Sequence, residues 1–156
     1  MIDNFISKFD TRAQRAFSLI EVLIALIIMS VGMLGIASLY VQSMQAGRTS
    51  LFRHNAVTLA GDVADRMRAN PTARNVYTGA GANNRCIDGG VNCSNVQMAA
   101  QDIFGWDQQA VDTLPNGSVT ITFDDTFNPP IYTIAITWDE PGRQQNYTVS
   151  TPILGF

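Results

Sequence analysis

Residues 15–40 read RAFSLIEVLIALIIMSVGMLGIASLY, and from Phe17 to Tyr40 the only charge is Glu21. Twenty-four helical residues at 1.5 Å each span roughly 36 Å, enough to cross a hydrocarbon core of about 30 Å. A cleaved secretory signal has a shorter apolar region, about 7–15 residues, and ends at a small-x-small site. This segment is longer and runs on into helix-compatible sequence, so it reads as a membrane span. The flanks orient it. Lys8, Arg12 and Arg15 precede it, and no Lys or Arg follows until Arg48. The excess of positive charge on the N-terminal side places that side in the cytoplasm and the C-terminal body outside.

Working outward from the span, the rest of the 156-residue chain is polar. Lys and Arg number 10 against 13 Asp and Glu, and all but one of these charges lie outside residues 17–40. The mean hydropathy of +0.07 therefore averages two unlike parts. The length allows one ordinary domain. The acidic balance, with a pI near 4.9, argues against a nucleic-acid-binding domain, which needs clustered Lys and Arg to displace counterions.

Glu21 lies five residues into the apolar run, where a carboxylate costs something like 2–3 kcal/mol, less near the interface. On its own it has two readings: a side chain snorkelling to the headgroups, or a functional charge awaiting a cation. Its neighbours supply more. Arg15-Ala16-Phe17-Ser18-Leu19-Ile20-Glu21-Val22-Leu23 resembles the class III signal of type IV prepilins and type II secretion pseudopilins. In that family a basic leader ends in a small residue, and prepilin peptidase cleaves after it on the cytoplasmic side. The peptidase then N-methylates the new terminal residue. The resemblance implies cleavage between Ala16 and Phe17, methylation of Phe17, and Glu21 as the fifth mature residue and the charge used in assembly. Ala16 stands where the family usually has Gly.

Further patches resemble PilV-type minor pilins: Asn55–Ala60 and Asp65–Pro71 at a helix end, and Leu114–Gly117 and Tyr132–Trp138 in C-terminal strands. The resemblance is weakest over residues 72–113. It implies an α+β, pilin-like fold, with a long N-terminal helix carrying a small antiparallel β-sheet head. Residues 1–16 are then a cleaved leader, 17–40 the membrane and assembly half of the helix, 41–71 its amphipathic half, and 72–156 the head.

The residues support the same plan independently. Phe52, Ala56, Leu59, Val63 and Met67 recur at steps of three and four, forming one apolar helical stripe. Asp62 with Arg66, and Asp65 with Arg68, have favourable spacings on an exposed face. Pro71 predicts a stop, because it disfavours helical geometry at Asn70. A helix from 17 to about 70 would be roughly 80 Å long. In the head, Ser118–Phe123, Ile131–Trp138 and Tyr147–Ile153 alternate as strands, with Pro129-Pro130 and Glu140-Pro141-Gly142 as turns. Three successive strands with short links predict an antiparallel meander.

A head of this size buries little core and calls for a staple. Cys86 and Cys93 enclose a Gly- and Asn-rich turn, and outside the cytoplasm such a pair reads as a disulfide. Closing that loop is worth roughly 2.5 kcal/mol on the chain-entropy relation. A two-Cys metal site is the rival, but it lacks further ligands, since the only His, His54, sits on the predicted helix as a surface residue. No metal site is expected. Asp124-Asp125 reads as a solvated turn, because Ca²⁺ needs six or more oxygens around it. No triad, phosphate loop or other catalytic set is present, so neither an enzyme nor a cofactor is expected.

The function implied by the resemblance is that of a PilV-like minor pilin, priming or joining type IV pilus assembly. Its partners would be prepilin peptidase, other minor pilins and the major pilin, the inner-membrane assembly platform, and the lipid bilayer before assembly. No nucleic acid is expected. The chain would sit in the bacterial inner membrane as a single-pass protein with its head in the periplasm. From there it would enter the pilus or a periplasmic priming complex. A type II secretion minor pseudopilin is the alternative, sharing the same signal. A pilus-tip adhesion or DNA-uptake module is a further one, although Arg74, Arg85 and Arg143 are too sparse for a basic groove.

Overall fold

A run of Leu, Ile, Ala and Met without proline favours helix throughout its length, and α1 extends unbroken from Leu19 to Ala69. The computed structural model describes residues 17–87 and 91–152. The leader 1–16 with Ala16, Lys8, Arg12 and Arg15, the turn residues Asp88, Gly89 and Gly90, and Ile153 all lie outside the described residues. The chain divides into two units, Met1–Met44 and Gln45–Phe156. α1 begins in the first and ends in the second.

In the first unit every described residue is solvent-exposed, including Leu19, Ile20, Ile27, Ile28, Leu34 and Ile36. The helix is long and apolar enough there to cross a membrane. It continues through Gly32 and Gly35 without a break, although each glycine costs roughly 1 kcal/mol of helix propensity.

The second unit has a core. From α1 it takes Ala56, Leu59, Ala60, Val63, Ala64 and Met67, with Phe52 packed at its margin. The apolar stripe legible in the sequence is thus the buried face. Asn70 ends the helix, its N–H donating to the Arg66 carbonyl at 3.1 Å, and a short 3-10 helix follows over Pro71–Val76.

A second helix, α2, spans Asn95–Thr113 and was not expected from the sequence. It starts with a capping box. The Gln97 N–H donates to Ser94 Oγ, and the Ser94 N–H donates back to Gln97 Oε1 at 2.9 Å. Two otherwise unsatisfied donors of the first turn are thereby met, typically worth about 1 kcal/mol. Ala99, Ile103, Trp106 and Ala110 form its buried face. The segment before it lies close on α2, with the Ala82 N–H donating to the Ala100 carbonyl. A Cβ at Gly81 would come 2.5 Å from the Phe104 nitrogen, so only glycine fits that approach. Gly117 is similarly required, since a Cβ there would collide with the Ala110 carbonyl.

The sheet has strand order β1-β2-β3, from β1 (Ser118–Asp124), β2 (Ile131–Glu140) and β3 (Arg143–Pro152), all antiparallel. The expected meander is present. β2 alternates cleanly, with Tyr132, Ile134, Ile136 and Trp138 buried. β1 contributes buried Ile121 and partly buried Val119. Phe123 shares that face but stays partly exposed, its ring 4.8 Å from that of Tyr132.

Candidate functional site

The sequence-selected residues at the start of the apolar helix can be placed from Phe17 onward. Phe17 precedes α1 and is 79% exposed. Ser18 opens the helix, its carbonyl accepting from the N–H groups of Glu21 and Val22 and its Oγ from that of Ile20 at 3.4 Å. A Ser at this position offers an oxygen to donors that have no partner within the helix. Glu21 is the acidic residue of the first turn, where the partial positive charge of the helix end favours a carboxylate.

Phe17 and Glu21 are four residues apart and share a face. With Val22, Ala25, Leu26 and Met29 they line a shallow depression of about 450 Å³. One carboxylate therefore sits at the mouth of an otherwise apolar surface. Such an arrangement can hold a cation in a low-dielectric setting, because an isolated carboxylate there is costly and a paired one much less so.

The other sequence-selected pair, Cys86 and Cys93, is joined as a disulfide with a Cα–Cα distance of 5.7 Å. It tethers the segment that leads into the Ser94 cap of α2. His54 is exposed on α1. Asp124 is also exposed, and its Oδ1 accepts from both the N–H and Oγ1 of Thr126. These hydrogen bonds hold the Asp124 carboxyl below the usual carboxylate range. Among the described residues no group of acids, His and Cys is arranged to hold a metal ion.

A polar cluster at the junction of α1 and α2 was only half legible. Arg66 forms the expected i,i+4 pair with Asp62, Nε to Oδ2 at 3.1 Å. It also reaches Asp102 on α2, with Nη1 to Oδ1 at 3.0 Å. Asp102 is 5% exposed and accepts on its other oxygen from the Tyr77 hydroxyl at 3.1 Å. Trp106 Nε1 donates to Asp62 Oδ2 at 2.9 Å, and the Trp106 ring stacks on Tyr77 at 5.7 Å. Of the charges expected on an exposed face of α1, Asp65 and Arg68 pair at 2.8 Å and stay exposed, whereas Asp62 and Arg66 are also tied to the second helix.

Burial pushes the Tyr77 hydroxyl up to about 12, with the neighbouring Asp102 carboxylate adding to the rise. The folded value lies above the unfolded one, so this contribution to stability is intact below about pH 10. It declines as pH rises through the folded value. Absorbance titration at 295 nm is expected to show Tyr77 ionising near pH 12, with stability falling as pH rises from about 10 towards that value. A set of tyrosines all titrating near pH 10 in the folded protein would contradict this.

Two family models match the chain. One, the prokaryotic N-terminal methylation motif, covers residues 11–37. The other, type IV pilin Tt1218, covers residues 38–104. They abut without overlap, and the first contains Phe17 and Glu21. Together they identify residues 11–104 as type IV pilin-like. No curated protein and no solved structure matches it. This pilin thus joins an N-terminal methylation motif and an exposed apolar helix to a small head. The second match ends inside α2, so the sheet of this pilin lies beyond both matched regions.

Proposed function

We propose that this pilin is a PilV-like minor subunit that primes or joins type IV pilus assembly through its N-terminal helix. The observation that carries the reading is the fully exposed apolar half of α1, with Phe17 just before the helix and Glu21 in its first turn lining one depression. Prepilin peptidase removes residues 1–16 and methylates Phe17. The new terminal amine remains a cation, and Glu21 pairs with that amine on an adjacent subunit. The attraction is strong in a low-dielectric bilayer and sets the axial register as subunits leave it. Before assembly the chain is a single-pass inner-membrane protein with a periplasmic head. The head, stapled by Cys86–Cys93, meets other minor pilins, and no catalytic step is assigned to it.

Deletion of the gene tests the reading when surface pili, twitching and secretion of a type II substrate are scored together. Loss of pili and twitching with secretion intact is the expected result. Loss of secretion with intact pili would overturn it in favour of a pseudopilin.

A further inference from the structure

In the second unit, the first turns of α1 and the β2–β3 turn enclose an open cleft of about 720 Å³. Arg48, Thr49 and Phe52 line it from α1, and Asp139, Glu140 and Arg143 line it from the strands. Its acids are already partly used. Glu140 accepts from Thr49 Oγ1 at 3.0 Å on one oxygen and from the Trp138 indole at 3.1 Å on the other. Asp139 Oδ2 accepts from the Asn116 amide at 2.9 Å, and among the described residues its Oδ1 has no donor. The cations are not used at all. Arg48 and Arg143 are exposed, and neither forms an ion pair among the described residues.

The cleft therefore offers two unengaged guanidinium groups and one open carboxylate oxygen. Guanidinium forks match the geometry of phosphate oxygens. The four ionised side chains sum to zero, which suits a ligand that carries its own cation better than a plain anion. The size lies within the roughly 300–1,000 Å³ of small-ligand sites. Position in the chain narrows the source of such a ligand. Residues 41–47 carry no charge, and Arg48 is the first Lys or Arg after the apolar run, eight residues past Tyr40. Charges within about 15–20 residues of a span act at the membrane surface.

We propose that this cleft binds the headgroup of a bilayer phospholipid that carries both a phosphate and a primary ammonium, as phosphatidylethanolamine does. Arg48 and Arg143 hold the phosphate, and Asp139 Oδ1 accepts from the ammonium. The contact tethers the head to the lipid surface until assembly draws the subunit out. The proposal rests on the reading of residues 17–40 as a membrane span.

Titration of the full chain in dodecyl maltoside, followed by native mass spectrometry, tests it. The probes are dihexanoyl phosphatidylethanolamine, dihexanoyl phosphatidylglycerol and inorganic phosphate. The ethanolamine lipid is expected to bind at least tenfold more tightly than either of the others. Arg48→Gln combined with Arg143→Gln should weaken it at least tenfold. Asp139→Asn should abolish the preference between the two lipids, with an unchanged thermal unfolding curve. Arg53→Gln, exposed on α1 and outside the cleft lining, should alter neither property. Equal binding of the two lipids by the unaltered chain, or affinity unmoved by the double arginine substitution, would overturn the proposal. Fractionation of the same cells separates the two levels. A chain in the membrane fraction without lipid preference overturns the headgroup site alone, whereas a chain in the soluble fraction overturns the span as well.

Discussion

Glu21→Val is expected to reduce surface pili to the level of a deletion strain while leaving the protein in the inner membrane at normal abundance. The two halves of that result separate docking from insertion. Removing a carboxylate from an apolar segment lowers the cost of membrane residence, by something like 2–3 kcal/mol at mid-bilayer and less near the interface. Insertion therefore has no reason to fail. The head is also untouched, because Glu21 belongs to the first unit and every residue around it is exposed. What disappears is the one charge in the span able to attract the amine of a neighbouring Phe17. Glu21→Asp keeps the charge on a shorter arm and should restore part of the pilus count. Immunogold counting and co-purification with other pilins provide the measurements. Unchanged pilus number and co-purification in Glu21→Val would remove Glu21 from the assembly step.

The second large effect belongs to the head. Asp102→Ala is expected to destabilise it by about 3 kcal/mol, a drop of roughly 15 °C in melting temperature for a domain of this size. The carboxylate is 5% exposed and accepts from Arg66 on one oxygen and from Tyr77 on the other. Its loss leaves a buried hydroxyl without that acceptor and breaks the tie between α1 and α2. Tyr77→Phe alone should cost about 1 kcal/mol. The double variant should cost less than the sum, because the hydroxyl stranded by Asp102→Ala is then absent. Thermal unfolding followed by circular dichroism checks the cycle. Strict additivity, or a loss below 0.5 kcal/mol for Asp102→Ala, would mean that the cluster is not coupled. Arg66 is half exposed, so its pair with Asp62 contributes little by itself.

Most of the fold was legible because its signals are periodic and local. The stripe from Phe52 to Met67 and the alternation of Ile131–Trp138 each record burial on one face directly, and Pro71 marks the helix stop through the geometry it disfavours at Asn70. α2 was not legible, and the reason is physical. Two of its four main buried positions are Ala99 and Ala110, which fit a close interface without marking it as apolar. Gln101 and Asp102 are buried polar residues, so they read as solvent-facing. Gly105 further weakens the helical pattern. The available signal was the Ser94-x-x-Gln97 capping box, which specifies a helix start without reference to hydrophobicity. Missing α2 also hid the second partner of Arg66, since an i,i+4 pair on a helix looks complete by itself.

The candidate site was legible for a different reason. Phe17 and Glu21 were singled out by the resemblance of residues 15–23 to the prepilin signal, whereas Glu21 as a lone charge in an apolar run left a snorkelling side chain as an equal reading.

Intact-mass and N-terminal peptide analysis of the chain, purified from cells with an active prepilin peptidase, tests the central claim most directly. The expected product begins at Phe17 and carries one methyl group on its terminal nitrogen. A chain that still begins at Met1 in those cells would contradict it.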